Sequence, residues 1–146
     1  MAAYFERSIE PLLGQLLAEI PALLIVGPRA SGKTTTAARY AKTVIRLDRP
    51  AEAVAFRADP DAALRGLAEP ILLDEWQEVP ELLGAVKRAV DAEARPGRFL
   101  LTGSVRAELE NQTWPGTGRL VRLASASRRW CRRGARTPPG RADRPR

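Results

Sequence analysis

Residues 27–34, whose sequence is Gly-Pro-Arg-Ala-Ser-Gly-Lys-Thr, constrain the fold of this chain more than any other stretch. They fit the pattern G-x-x-x-x-G-K-[ST] of a phosphate-binding loop, or P-loop. The apolar run at 22–26 predicts a buried parallel strand before the loop, and residues 35–42, which lack Gly and Pro, predict a helix after it. Because a P-loop requires a strand before it and a helix after it, this context disfavours the alternative of a glycine turn with a surface lysine.

Each residue type in the loop has a chemical reason. Glycines let the backbone turn and bring its N–H groups against phosphate oxygens, and the N-terminal end of a helix favours an anion. Lys33 is predicted to reach the β- and γ-phosphates of a nucleotide, and the Thr34 hydroxyl is predicted to bind Mg²⁺. The predicted nucleotide-binding residues are Gly27, Pro28, Arg29, Ala30, Ser31, Gly32, Lys33, Thr34 and Thr35.

A second chemical pattern lies at residues 71–75, where an apolar run ends in the adjacent carboxylates Asp74 and Glu75. The run predicts a buried strand, and α/β sheets bind their ligands at the carboxyl ends of strands. Acids at a strand end often only cap the next element, but downstream of a P-loop this pair is typical of a Walker B motif. Asp74 is predicted to hold Mg²⁺, and Glu75 is predicted to orient and polarise the attacking water.

The other apolar patterns predict helices that alternate with strands. Residues 6–20 show one apolar helix face, with Ser8 as the predicted N-cap and Pro11 in the tolerated first turn. The further predicted elements are a strand at 44–48, helices near 51–56, 61–67 and 81–94, a strand at 99–104 and a half-exposed strand at 119–123.

This alternation implies a parallel sheet with right-handed crossovers. We therefore predict an α/β P-loop NTPase core, with a mainly parallel five-stranded sheet flanked by helices. By analogy with the additional-strand, catalytic-glutamate NTPases, the fourth strand is expected to separate the P-loop strand from the Walker B strand.

Two residues near these motifs permit more than one interpretation. Thr102 or Ser104, at the end of the strand at 99–104, could hydrogen-bond the γ-phosphate or the water near it, although polar residues end many strands. Trp76 could stack on a base, but packing beneath the following helix is the preferred interpretation.

The net charge of +7 comes from the end of the chain. Residues 1–122 contain 16 basic and 16 acidic residues, whereas residues 123–146 contain eight arginines and one aspartate. The charge is therefore poor evidence for a nucleic-acid-binding face on the domain. Residues 124–146 are predicted to be disordered, because a segment of mostly Ala, Gly, Pro and Arg buries too little apolar surface. A remnant of a shifted reading frame is the preferred origin, and a basic arm for nucleic acid or an anionic membrane is the alternative.

Composition excludes several classes of protein. No apolar run approaches the roughly 18 residues that indicate a membrane span, and the N-terminal segment lacks the pattern of a signal peptide. The chain has one cysteine, Cys131, and no histidine, so neither an internal disulfide nor a zinc cluster of these residues can form. We expect a cytoplasmic protein with one domain at 1–123, followed by the tail at 124–146.

Four segments in this order and spacing resemble an AAA-like family of prokaryotic ATP-binding proteins. They are GPRASGKT, ILLDEWQEVPELL, RFLLTGS and GTGRLVRL, and the resemblance covers about residues 6–122. In that family a P-loop domain is usually followed by a C-terminal domain of unknown function. This chain departs from the pattern after residue 122, which implies a truncation after the P-loop domain.

The resemblance also implies roles for single residues. Gln77 matches the family motif Asp-Glu-x-Gln, and Thr102 falls in the sensor-1 region of related ATPases. Arg119 matches a Gly-Arg motif and is the best candidate for an arginine that acts on the γ-phosphate, in cis or from a neighbouring subunit. Arg106 is a weaker candidate for the same role.

The predicted function is ATP binding and Mg²⁺-dependent ATP hydrolysis, with Glu75, Lys33, Arg119 and Thr102 as catalytic residues. One alternative is a nucleotide-dependent binding module, or an inactive fragment without turnover. Another is a small-molecule phosphotransferase, because kinases share the P-loop. The expected partners are ATP, a second copy of the chain and, only through the basic tail, nucleic acid.

Overall fold

A computed structural model describes residues 9–104 and the backbone of residues 120–124. In chain order, the described elements are helix α1 (Glu10–Glu19), strand β1 (Ala22–Val26), helix α2 (Lys33–Ala38), strand β2 (Thr43–Arg46), helices α3 (Pro50–Ala58) and α4 (Pro60–Leu64), strand β3 (Ile71–Asp74), a 3₁₀ helix (Trp76–Glu78), helix α5 (Leu82–Ala92), and strands β4 (Phe99–Gly103) and β5 (Leu120–Ala124). Within the described part of the chain, no helix is long and apolar enough to cross a membrane.

The strands form one parallel sheet in the order β2-β3-β4-β1-β5. The predicted α/β fold with a parallel sheet flanked by helices is confirmed, and β4 lies between β1, which precedes the P-loop, and β3, the strand of the predicted Walker B motif, as expected. The register places Val26 opposite Gly103, and Asp74 opposite Thr102. The residues that follow β1, β3 and β4 therefore meet at one edge of the sheet, which is where the site forms.

Both faces of the sheet are covered, which explains why β1 is continuously apolar and why β3 and β4 are apolar up to Asp74 and Thr102 near their carboxyl ends. In β1, Leu23 and Ile25 pack on the side of α1 and α2, whereas Leu24 and Val26 pack on the side of α3, α4 and α5. Full burial of such a side chain contributes about 1.5–3 kcal/mol, so two-sided burial is the main stabilising term for these strands. The edge strand β2 is only partly buried, and its last residue, Arg46, is exposed.

The helix α2 is shorter than the predicted range of 35–42. It begins at Lys33 and ends at Ala38, and the next three N–H groups bond to carbonyls three residues back, which tightens the chain into turns. The hydroxyl of Tyr40 in this turn donates to the carbonyl of Glu10 at 3.0 Å. The first helical turn after the P-loop is therefore followed by a turn that is tied to α1.

Other element boundaries differ from the predictions by a few residues. Pro11 lies in the first turn of α1 as predicted, but the N-cap is Ile9 rather than the predicted Ser8, and Ile9 makes no side-chain capping bond. The helix predicted near 61–67 is α4 and begins at Pro60, where the Asp59 carboxylate caps it by accepting from the Ala62 N–H at 2.9 Å. The preferred interpretation of Trp76 agrees with the structure, in which the indole is buried in the core that α5 covers.

Several predictions lie outside the described residues. They concern residues 6–8 at the start of the first predicted helix, residues 105–119 with Arg106 and Arg119, and the tail beyond Ala124. Ala124 itself, predicted as the first residue of the disordered tail, is the last residue of β5 and pairs with Val26. The predicted half-exposure of β5 concerns side chains that are also outside the description.

Candidate functional site

The loop between β1 and α2 wraps around a buried lysine. Its backbone is left-handed at Ala30, with φ 56°, and at Gly32, with φ 78°, so one of the two sharp turns is taken by an alanine rather than by a glycine. The carbonyl of Gly32 accepts the Thr36 N–H at 3.1 Å and begins the helix. These turns direct the loop backbone around the side chain of Lys33.

Lys33 is only 5% exposed. Its ammonium donates to the carbonyl of Gly27 at 3.0 Å, to the carbonyl of Pro28 and to the hydroxyl of Ser31 at 3.2 Å. Burial lowers the pKa of Lys33, and the carboxylates of Glu75 and Asp74 act against that shift. The buried ammonium is thus held by the loop itself, inside the edge of the sheet at which phosphates are predicted to bind.

Asp74 joins three elements at the end of β3. It is 6% exposed, and its Oδ1 accepts from the hydroxyl of Thr34 on α2 at 2.6 Å and from the hydroxyl of Thr102 on β4 at 2.5 Å. The contact with Thr102 follows from the strand register, in which the two residues are opposite each other. Thr102 is itself buried, so its hydroxyl is engaged with Asp74.

The Thr34–Asp74 pair fits a magnesium ion by its chemistry. A hydroxyl and a carboxylate are the hard oxygen donors that Mg²⁺ prefers, and the two oxygens are already within hydrogen-bond distance. In the part of the chain that the structure describes, no group of three or more acidic, histidine or cysteine side chains could hold a metal. This partial protein shell suits an ion that usually keeps several waters and binds substrate phosphates.

Glu75 leaves the strand in a left-handed conformation, with φ 55°, which is uncommon for a residue other than glycine. Its Oε2 accepts from the side-chain amide of Gln77 and from the hydroxyl of Ser104 at 3.4 Å. The carboxylate therefore turns away from the path of β3 and is held between the 3₁₀ helix and the end of β4.

These residues surround a cavity of about 410 Å³. The cavity is lined by Arg29, Ala30, Gly32, Lys33, Thr34, Thr35, Asp48, Glu75 and Glu78. Six of the nine predicted nucleotide-binding residues are among them, and the carbonyls of Gly27 and Pro28 and the hydroxyl of Ser31 bond to Lys33 from within the loop.

Two acids in the cavity lining were not predicted as site residues. Asp48 follows β2 and Glu78 ends the 3₁₀ helix after β3, so both lie near the carboxyl edge of the sheet. The end of the predicted second strand could have indicated Asp48, because parallel strands bring their carboxyl ends to one edge. Arg119, the predicted γ-phosphate arginine, and the weaker candidate Arg106 lie outside the described residues.

Gly103, at the end of β4, permits the close approach of the turn that carries Glu75. A Cβ at this position would lie 2.6 Å from Gln77 Oε1 and 2.8 Å from Trp76 Nε1, both shorter than van der Waals contact. The Trp76 ring is 1% exposed and packed in the core, so it has no room to move aside. Glycine is required here for lack of space rather than for its backbone conformation.

We expect Gly103→Ala to lower the free energy of unfolding by about 1–3 kcal/mol, the usual cost of overpacking a filled core. Gly14→Ala in α1 is the matched control, because the nearest atom to its added Cβ, on Tyr40, is 3.8 Å away. That variant should be slightly more stable than the parent, since alanine is the better helix former. Urea unfolding measures the stability of both variants. An unchanged midpoint for Gly103→Ala would contradict the conclusion that there is no space for a side chain at Gly103.

Comparison with known proteins identifies the family of this chain. A family model described as an AAA domain matches residues 19–127. Two proteins of uncharacterised function, from Mycobacterium bovis and Mycobacterium tuberculosis, are each 32% identical over 145 residues, which cover 88% of this chain and 33% of the relative. The chain thus spans about a third of the length of the curated relatives it matches. No solved structure matches it. The chain belongs to this AAA domain family, and the P-loop cavity at the edge of its parallel sheet is that of a nucleotide-binding AAA-like domain.

Proposed function

We propose that this domain binds Mg-ATP and hydrolyses it to ADP and phosphate. The observation that carries the proposal is that Lys33, Thr34 and Glu75 line one cavity, with Asp74 hydrogen-bonded to Thr34 directly behind it. A cation, a hydroxyl–carboxylate pair and a separate carboxylate are the groups that phosphoryl transfer to water requires.

Each group has one role in this proposal. Lys33 and the backbone N–H groups of the loop offset the negative charge of the phosphates. Thr34 and Asp74 would hold Mg²⁺, which supplies positive charge next to the phosphate oxygens when it is bound. Glu75 accepts a hydrogen bond from the attacking water and withdraws its proton. The water oxygen then bonds to the γ-phosphorus, while the bond to the β–γ bridging oxygen breaks and its electron pair stays with ADP.

Two further residues complete the proposed site. Thr102 donates to Asp74 in a buried contact, so in this proposal it orients Asp74. This role is additional to its predicted hydrogen bond with the γ-phosphate or the water near it. Arg119 remains the candidate for charge stabilisation at the γ-phosphate, from the same chain or from a second copy. The proposal concerns the predicted domain at 1–123 together with Ala124, the last residue of β5, and this part should bind and hydrolyse ATP without residues 125–146.

Phosphate release from ATP in the absence of any acceptor tests the proposal. We expect turnover that stops when EDTA removes Mg²⁺ and returns when Mg²⁺ is restored. The Asp74→Asn variant should lose most of this Mg²⁺-dependent rate, because the carboxylate charge at the proposed ion site is gone. Asp91→Asn is the matched control, since Asp91 forms only an exposed ion pair with Lys87 on α5.

Each other result favours a different function. Mg-ATP binding without phosphate release would support the nucleotide-dependent binding module. Release of ADP only after a small-molecule acceptor is added would support the phosphotransferase. Absence of nucleotide binding to the folded chain would contradict the whole proposal.

A further inference from the structure

The position of the Glu75 carboxylate depends on a side chain that the proposed hydrolysis does not itself use. The side-chain amide of Gln77 donates through Nε2 to Glu75 Oε2, and the same oxygen accepts from the hydroxyl of Ser104 at 3.4 Å. Among the described residues, no group donates a hydrogen bond to the other carboxylate oxygen, Oε1. Both donors therefore act on one oxygen and leave the second for the cavity that Glu75 lines.

We propose that Gln77 is a positioning residue that holds Glu75 by Oε2, so that Oε1 is presented to the attacking water. The proposal rests on the proposed function, because it assigns Glu75 the water-polarising role. Glu75 belongs to neither a strand nor a helix, because it lies in a left-handed turn between β3 and the 3₁₀ helix. No regular backbone hydrogen-bonding pattern therefore fixes the direction of its side chain. A carboxylate at such a turn needs external donors if it is to keep one orientation.

The surroundings of Gln77 fix which way its amide faces. A reversed amide would place the oxygen of Gln77 against the Glu75 carboxylate, where two acceptors would repel each other, so only Nε2 can face Glu75. Gln77 Oε1 then points into the protein, where the atom is buried and has no partner among the described residues. The amide is thus oriented by Glu75 on one side and enclosed on the other.

A second orphaned group lies beside that oxygen. Trp76 Nε1, a buried donor, also lacks a partner in the described part of the chain, and both atoms lie within 3 Å of the position that a Cβ on Gly103 would occupy. An unpaired buried polar group costs about 1–3 kcal/mol. A small movement that brings Gln77 Oε1 within hydrogen-bond distance of Trp76 Nε1 is therefore favoured. Gln77 would then link a ring fixed in the core to the carboxylate in the cavity, and the absence of a side chain at Gly103 leaves the space for the link.

Gln77→Met tests the inference, because methionine keeps the length of the side chain and removes both amide atoms. We expect kcat for ATP hydrolysis to fall by on the order of tenfold to a hundredfold, which corresponds to the loss of one hydrogen bond to a charged group. The KM and the affinity for Mg-ATP should change by less than about threefold, since Gln77 does not line the cavity. Gln15→Met on the exposed side of α1 is the matched control and should keep the parent rate.

The Glu75→Gln background separates positioning from a general structural effect. If Gln77 acts only through the Glu75 carboxylate, Gln77→Met should cause no further loss of turnover once that carboxylate is gone. An equal loss in both backgrounds, or a Gln77→Met protein that hydrolyses ATP at the parent rate, would overturn the inference. If Gln77→Met does not fold, Gln77→Glu replaces it in the same cycle, because a second carboxylate repels Glu75 at nearly unchanged volume.

A crystal structure of the Gln77→Met protein without nucleotide gives a readout that needs no activity. The Glu75 carboxylate should leave the contact with Ser104 or occupy several orientations. An unchanged carboxylate in that structure would overturn the inference even if the parent hydrolyses ATP. If the parent shows no hydrolysis while the carboxylate does move, the proposed function fails and the positioning contact stands.

Discussion

Replacing Lys33 with alanine will abolish tight binding of Mg-ATP to this domain. Lys33 is 5% exposed and its ammonium is held by the carbonyls of Gly27 and Pro28, so we expect the ammonium to meet the phosphates with little water around it. Each contact of a charged donor with phosphate contributes about 1.5–3 kcal/mol, and a single such contact already corresponds to at least a tenfold change in Kd. The other basic side chain in the described lining of the cavity, Arg29, is exposed and cannot substitute for a buried charge.

Titration calorimetry with Mg-ATP measures this loss. Lys42→Ala is the matched control, because it removes the same charge from an exposed position just beyond α2. That variant should bind nucleotide with the parent affinity. Both variants should be checked for an intact melting transition, since removal of Lys33 also leaves loop carbonyls without their donor. An unchanged Kd for a folded Lys33→Ala protein would refute the P-loop assignment.

Glu75→Gln should keep nucleotide binding and lose turnover by on the order of a hundredfold or more. The amide has nearly the same shape as the carboxylate, and its oxygen can still accept from Ser104. It cannot withdraw a proton from water as a carboxylate does, so the loss falls on the chemical step. Single-turnover phosphate release and calorimetry with Mg-ATP separate the two effects.

Glu78→Gln is the control for this variant. Glu78 is an acid of the same turn and lines the same cavity, but it ends the 3₁₀ helix and is exposed. If hydrolysis depends on the placement of one carboxylate, Glu78→Gln should retain most of the parent rate. Equal losses of activity in the two variants would show that only the total negative charge of the cavity matters. A Glu75→Gln protein with the parent activity would show that Glu75 has no catalytic role and is only an acid at a strand end.

The order of the strands and helices and the P-loop could be predicted from the sequence because each has a local cause. A strand buried on both faces is expected to be apolar, as β1 is along its whole length and as β3 and β4 are up to Asp74 and Thr102 near their carboxyl ends. A loop that surrounds phosphate needs its glycine and lysine at set spacings. Helix ends were less predictable, since the end of α2 depends on a turn whose Tyr40 reaches Glu10 in a different helix.

Only the tertiary structure decided how the side chains of the site meet. The sequence indicates that Asp74, Glu75 and Thr102 lie at strand ends. It does not indicate that the strand register places Thr102 opposite Asp74, so that the hydroxyl of Thr102 donates to this carboxylate. The crowded space over Gly103 likewise arises where β3 and β4, which are distant in the sequence, end side by side, whereas the contact of Gln77 with Glu75 joins residues two apart in the turn after β3. Residue types and their spacings along the chain determine the fold class and the chemical groups that are available to the site. Which of these groups contact one another across the sheet is determined by strand register and packing, which no local pattern encodes.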